Sequence, residues 1–424
     1  MSDSSFTVPG DKSLSHRALL LAGLAEGTSH IEGILTSLDI RSTARVLRAL
    51  GVRVGPLRTG QVLQVAGLGR WRQPSRVLDC GNSGTTARLG LGALAGHPIR
   101  AQLTGDRSLR RRPMRRVTEP LECMGASIEP RQGDHLPLTI QGGPLRPLRW
   151  ELPVSSAQLK GALLLAGVVG EVPVALREPA GRSRDHTERL LRSFGYTVEH
   201  EPDGWIRFAP TGRLHPFSTR IPGDFSSAAF LLAAVTLAGT HPWRLPRVGV
   251  NPTRTGFLSV LGRMGGRVEL DRPEEWVGEP VADLVVMPAA LQATRILAHE
   301  VPGLIDEVPV LAVLAARAEG TTVFEAVGEL RVKESDRLAL LVRNLTSLGV
   351  EAVAEGDTLR VTGTEAPPRG PVVTEGDHRI AMAFAVLGLL PGAAIEVDDL
   401  KCAAVSFPGF AERLAHLRRN EGRA

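Results

Sequence analysis

Cysteine, lysine and aromatic side chains are all scarce in this 424-residue chain. The three cysteines, Cys80, Cys123 and Cys402, lie far apart and form no CxxC pair or Cys/His spacing, which argues against a structural zinc. An odd, sparse thiol count suits a reducing cytoplasm. Aromatics are 4% of residues, with a single Tyr, so base-stacking platforms are few. The net charge of +5 therefore points to a small anionic substrate rather than to nucleic acid. No apolar run reaches membrane-spanning length, and MSDSSFTVPGDK carries no basic-then-apolar leader.

Lysine is the most telling scarcity: four, against 46 arginines. Where generic surface charge is supplied by Arg, a retained Lys marks a place that needs a compact ammonium able to move a proton. Lys12 and Lys333 lie in the densest polar motifs, GDKSLSHR and RVKESDR. Lys160, in the apolar run QLKGALLLAG, reads as a side chain that snorkels to the surface, and Lys401 as a chance survivor.

What the chain has in abundance is one pattern, repeated six times. Small polar or charged residues open an apolar stretch of helix length, a Gly breaks it, and a short β-like run follows. The copies begin at Ser13, Ser83, Ser156, Ser226, Ile305 and Asp377, about 70 to 80 residues apart, the mark of one supersecondary unit reused. A second series of helices, such as STARVLRALGVRV and ESDRLALLVRNLTSLGV, alternates with the first. Each unit reads as strand, helix, strand, helix, then strands: an α/β fold of six units in two groups of three. The fourth unit opens near IPGDFSSAAF, which sets the domain boundary near Pro222 and Gly223. The polar openings read as N-caps, and helix N-termini attract anions.

Several openings add cations. In GDKSLSHR, Lys12 and Arg17 flank Ser13 and Ser15; Asp11 before Lys12 removes the upstream glycine pattern of a P-loop, so ATP binding by that route is rejected. In GNSGTTAR, Gly84 lets a ligand approach the backbone closely. In GDRSLRRRPMRR most arginines read as a solvated face, with Arg112, beside Pro113, aimed at a ligand. SSAQLKG and SRDHTER again join hydroxyls to Gln or Arg, and His186 reads as capping or packing. In RVKESDR, Glu334 and Arg337 stand at i and i+3 of one helical face. LIDEVP places Asp306 and Glu307 at a helix start, where a carboxylate serves either as N-cap or in proton transfer, and DHR places Arg379 at another.

Together and in this order, from PGDKSLSHR to VSFPGF, these motifs closely resemble the 5-enolpyruvylshikimate-3-phosphate synthase family. The resemblance implies two similar domains, each of three βαβαββ repeats in an inside-out α/β barrel, closing over the substrates. One would cover 11–222; the other would join 1–10 to 223–424. It implies transfer of the enolpyruvyl group of phosphoenolpyruvate to shikimate 3-phosphate, with release of phosphate, in chorismate and aromatic amino acid biosynthesis. It also implies a cytoplasmic monomer with neither metal nor organic cofactor. Carried over by position, Lys12, Ser13, Arg17, Ser156, Ala157, Gln158, Arg184, Asp306 and Lys333 would contact shikimate 3-phosphate. Lys12, Asn82, Gly84, Arg112, Gln158, Arg337 and Arg379 would contact phosphoenolpyruvate. Asp306, Glu334 and Lys12 would carry the proton transfers.

The chain departs from many members in three places. Val405 stands where they have a Lys, Leu89 where they have a Pro, and GDKS where they have Gly-Ser-Lys-Ser. Two alternatives remain at this stage. The UDP-N-acetylglucosamine enolpyruvyl transferases usually carry a Lys-Asn where this chain has Lys12-Ser13, and a reactive loop Cys; Cys123, in PLECMGAS, reads as buried and inert. A non-enzymatic phosphate- or RNA-binding protein would have no need of Asp306 and Glu334 among its cations.

Overall fold

The computed structural model describes residues 4–131, 133–179 and 181–422. They divide into two compact units. The first is Gly10–Ile221 with the short segment Glu275–Glu279; the second joins the N-terminal stretch up to Pro9 to Pro222–Glu274 and to the chain from Pro280 onward.

In the first unit three four-stranded sheets share one order. Ser218–Arg220 pairs in parallel with Glu26–Glu32, which is antiparallel to Leu63–Leu68, itself antiparallel to Arg53–Val54. Leu78–Asp79, Arg100–Thr104, Leu138–Gln141 and Ser127–Pro130 repeat that order. So do Leu148–Glu151, Val174–Arg177, Trp205–Ala209 and Thr197–His200. The second unit shows the full order once, in Arg295–Ile296, Thr321–Phe324, Thr358–Thr362 and Ala352–Glu355. Its other sheets have three strands and two.

The two helix series differ in burial, and sequence explains why. Past their polar openings, Lys12–Leu24, Gly84–Ala95 and Ala157–Gly170 are apolar on every side, and they are largely buried. Phe225–Ala238, Val308–Ala315 and His378–Leu387 repeat this in the second unit. A helix apolar all round belongs inside a core. The alternating series buries one stripe only. Arg115–Met124 buries Val117, Pro120, Leu121 and Met124, which leaves Cys123 on the outer face. Cys123 is exposed rather than buried, because the helical period puts it off the apolar stripe. Each unit has its own continuous apolar core. At Gly92 two central helices of the first unit touch backbone to backbone: a Cβ there would lie 2.0 Å from the Ala162 carbonyl oxygen. Among the described residues no helix is long and apolar enough to cross a membrane.

The buried helices can expose only their ends, so their caps decide what a ligand meets. Asp11, Ser83, Ser156, Asp224 and Asp377 each accept a hydrogen bond from an amide in the first turn. The first and fourth caps are thus aspartates ahead of Ser13 and Ser226, and those serines lie inside the helices. The helix at Val308 has no side-chain cap: Glu307 holds the cap position without bonding the first turn. That frees the Asp306–Glu307 pair for other partners.

Candidate active site

In the first unit the buried helix starts carry two linked constellations. One centres on Arg17, which is buried. Its Nε donates to Thr187 Oγ1 at 2.7 Å, and its two terminal nitrogens donate to the carbonyls of Ser13 (3.1 Å) and Ala157 (3.0 Å). Arg184 reaches Ser13 Oγ at 3.4 Å. Burial lowers the Arg17 pKa to about 10, with Glu188 opposing and Arg184 adding to the shift, so the group stays charged at neutral pH. Lys12 Nζ donates to Asp39 at 3.1 Å.

The other constellation centres on Arg112. Its guanidinium donates to Asn82 Oδ1 at 2.7 Å and to Ser108 Oγ at 3.3 Å, while Asn82 donates to Asp106 at 2.6 Å. Arg88 donates to Gln158 Oε1 at 2.6 Å and to the Pro113 carbonyl at 3.2 Å, and Gln158 Nε2 donates to Thr85 Oγ1 at 3.0 Å. Gly84 sits among them: a Cβ there would lie 3.0 Å from an Arg88 nitrogen and 3.2 Å from an Arg112 nitrogen. Ala157 and Gln158, adjacent in sequence, join the two groups. Ser156 acts here as the cap of their helix.

In the second unit a tighter network surrounds Arg337, one of the largest fully buried side chains. Its Nε donates to Asp377 at 2.8 Å; its terminal nitrogens meet Glu334 at 2.6 Å and Asp306 at 3.5 Å. These carboxylates outweigh burial and push its pKa up, so it is permanently charged. Asp377 also caps its helix at the Arg379 amide (2.9 Å) and accepts from Ser335 (3.0 Å). Arg379 donates to the Asp306 carbonyl at 2.8 Å and lies 3.6 Å from its carboxylate and 3.7 Å from Glu307. Burial lowers the Lys333 ammonium, with Asp306 opposing and Arg337 adding to the shift. Glu334 and Asp306 keep 25% and 16% of their side chains exposed against 1% for Arg337, so both remain partly open to solvent.

Thus the first unit brings together Lys12, Ser13, Arg17, Ala157, Gln158, Arg184, Asn82, Gly84 and Arg112, and the second brings together Asp306, Lys333, Glu334, Arg337 and Arg379. The two differ in charge. The first gathers Lys12, Arg17, Arg88, Arg112 and Arg184, with Asp39 paired to Lys12 and Asp106 bonded to Asn82; the second sets Lys333, Arg337 and Arg379 against Asp306, Glu307, Glu334 and Asp377. Two expectations change in detail. Glu334 and Arg337 do pair, but Glu334 lies in the bend before the Arg337–Ser347 helix, not on its face. Lys160 does not snorkel: it is buried at 1% exposure between Glu178 and Glu188. Sequence reasoning missed Asp39, Arg88 and Thr187. Arg88 and Thr187 lie in motifs already flagged, GNSGTTAR and SRDHTER; Asp39 carries no signal apart from its distant partner. Val405, half-buried at the end of the Lys401–Val405 turn, offers no charge. No His/Cys/Asp/Glu group suited to a metal ion occurs among the described residues.

Comparison with known proteins agrees across nearly the whole chain. The family model for EPSP synthase (3-phosphoshikimate 1-carboxyvinyltransferase) matches residues 3–414. The 3-phosphoshikimate 1-carboxyvinyltransferase of Desulforudis audaxviator is 48% identical over 97% of this chain and 96% of its own length. That of Gloeobacter violaceus is 49% identical with the same coverage. The solved structure of EPSP synthase from Acinetobacter baumannii superposes with a TM-score of 0.84 at 36% identity, covering 98% of this chain and 95% of that one. With helix-start cations, paired carboxylates and repeated sheets all in place, the chain belongs to the EPSP synthase family.

Proposed function

We propose that this chain transfers the enolpyruvyl group of phosphoenolpyruvate to the 5-hydroxyl of shikimate 3-phosphate and releases phosphate, a step toward chorismate and the aromatic amino acids. The observation that carries the reading is near-complete coverage by curated 3-phosphoshikimate 1-carboxyvinyltransferases at 48–49% identity. The clusters of both units serve this one reaction. Arg17, Arg184, Ser13, Ser156, Ala157 and Gln158 bind shikimate 3-phosphate, with Asp306 and Lys333 at its ring hydroxyls. Lys12, Asn82, Gly84, Arg112, Gln158, Arg337 and Arg379 bind phosphoenolpyruvate. Two anionic substrates need cations fixed before binding, and hydrogen-bonded guanidinium groups supply that with directional donors.

Chemistry proceeds by addition and elimination. A proton reaches the methylene carbon of phosphoenolpyruvate, and the 5-hydroxyl attacks the cation-like centre as its own proton leaves. The tetrahedral adduct then returns a proton from its methyl group and expels phosphate. Glu334 handles the methyl proton, Asp306 the hydroxyl proton, and Lys12 protonates the departing phosphate. General acid–base catalysis of this kind contributes about 10²–10⁴-fold per group. Arg337 supports both carboxylates, lying 3.5 Å from Asp306 and 2.6 Å from Glu334. We also place the work in the cytoplasm, where the free thiols Cys80, Cys123 and Cys402 stay reduced.

The test is phosphate release by the purified chain. Shikimate 3-phosphate with phosphoenolpyruvate should yield one phosphate per product; UDP-N-acetylglucosamine in its place should yield none. Turnover of the nucleotide sugar instead would overturn the reading. Cys123 no longer separates the two on burial, so the assay decides.

A further inference from the structure

We propose that Lys160, with Glu178 and Glu188, is a positioning group for the anion site built by Arg17 and Arg184, and through it for the phosphate of shikimate 3-phosphate. The inference rests on the function proposed above.

Lys160 lies in the apolar helix Ala157–Gly170 and is among the largest fully buried side chains. Its Nζ meets Glu188 Oε1 at 2.8 Å, Glu178 Oε2 at 3.0 Å and the Ser183 carbonyl at 3.2 Å. Two of the three ammonium donors make hydrogen bonds, to Glu178 and the Ser183 carbonyl, and the contact with Glu188 is an ion pair. The Ser183 amide donates to the same Glu178 oxygen at 3.1 Å. A planar guanidinium would not fit three acceptors gathered round one nitrogen, which accounts for a lysine here in a chain with 46 arginines.

Stability does not explain the group. Apolar residues of like volume serve a core as well as a buried ion pair or better. What the group does is fasten Glu178, Ser183 and Glu188 to the helix. Arg184 lies between the fastened Ser183 and Glu188. Thr187, next to Glu188, holds the Arg17 Nε, while Arg17 also grips the Ala157 carbonyl on Lys160's own helix. The helix backbone itself presses on this pair: a Cβ at Gly161 would lie 2.8 Å from Thr187 Oγ1 and 3.3 Å from an Arg17 nitrogen. The Glu188 carboxylate also acts on the Arg17 guanidinium. Glu188 thereby opposes the effect of burial on Arg17.

The experiment uses the full chain with Lys160→Met, Glu188→Gln and the double variant. Steady-state kinetics vary each substrate separately, and calorimetry follows shikimate 3-phosphate binding alone. A displaced anion site should raise KM for shikimate 3-phosphate about tenfold or more, leave KM for phosphoenolpyruvate within about twofold, and weaken binding in step. The double variant, with less uncompensated buried charge, should recover thermal stability relative to Lys160→Met without recovering that affinity. Should Lys160→Met not fold, the isosteric Glu188→Gln and the double variant carry the test. Lower melting temperatures with unchanged KM for shikimate 3-phosphate, or an equal rise in both KM values, would overturn the proposal. Arg184→Ala separates the two levels of argument. If it leaves shikimate 3-phosphate affinity intact, the site assignment itself fails. If it weakens affinity while the triad variants do not, only the positioning role fails.

Discussion

Replacing Gly84 by Ala should impair phosphoenolpyruvate binding while leaving the fold intact. Gly84 opens its helix with ordinary backbone angles and is absent from the positive-φ glycines, so alanine meets no backbone strain. Ala favours a helix over Gly by up to about 1 kcal/mol in the interior, less at the first position. The added Cβ, however, would stand 3.0 Å from an Arg88 nitrogen and 3.2 Å from an Arg112 nitrogen, closer than carbon and nitrogen pack comfortably. Arg112 is held by Asn82 at 2.7 Å, and Arg88 by Gln158 at 2.6 Å, so neither yields freely. A shift of a few tenths of an ångström weakens one charged hydrogen bond, worth roughly 1.5–3 kcal/mol intact. Losing about 1 kcal/mol of it raises KM for phosphoenolpyruvate about fivefold. The assay varies phosphoenolpyruvate at saturating shikimate 3-phosphate, with a thermal melt alongside. An unchanged KM for phosphoenolpyruvate, or a rise confined to shikimate 3-phosphate, would refute the placement of Gly84.

Two further outcomes concern stability. Gly92→Ala would drive a Cβ to 2.0 Å from the Ala162 carbonyl, so two central helices must part; the urea midpoint should fall by the equivalent of at least about 1–3 kcal/mol. Glu421 ties the C-terminal helix to the chain near Thr240, accepting from the Thr240 amide (2.6 Å) and from Trp243 Nε1 (2.8 Å). Burial alone would raise its pKa, but bonds from Thr240 and Trp243 outweigh it and hold the carboxyl below its usual range. A depressed folded pKa gives stability that is complete above the unfolded carboxyl value near about 4.3 and fades as pH falls through the folded value. Glu421→Gln should therefore be less stable than the wild type at neutral pH, with the gap closing on acidification. A gap that widens toward acid would contradict this.

The architecture was largely legible because it rests on local, repeated signals. Apolar runs such as SSAAFLLAAVTLAG have helix length, caps and a breaking glycine, and their recurrence announced the repeats. The errors also have local causes. Cys123 reads as buried from its helical context in PLECMGAS, whereas the helical period turns it outward. Glu334 and Arg337 pair, but across a bend that spacing alone does not reveal. The site's supports were the least legible, because they depend on distant partners. Arg17 bonds Thr187 across 170 positions, and Lys12 pairs with Asp39 across 27. Lys160 looked like an apolar-helix lysine seeking water; only the fold brings Glu178 and Glu188 to it.

Turnover of Glu334→Gln tests the acid–base account most directly. Gln keeps the shape, and it can still accept from Arg337, but it cannot take up or return the methyl proton. The account predicts a folded variant whose kcat falls about 10²–10⁴-fold with smaller changes in either KM. A folded variant turning over at nearly the wild-type rate would contradict it.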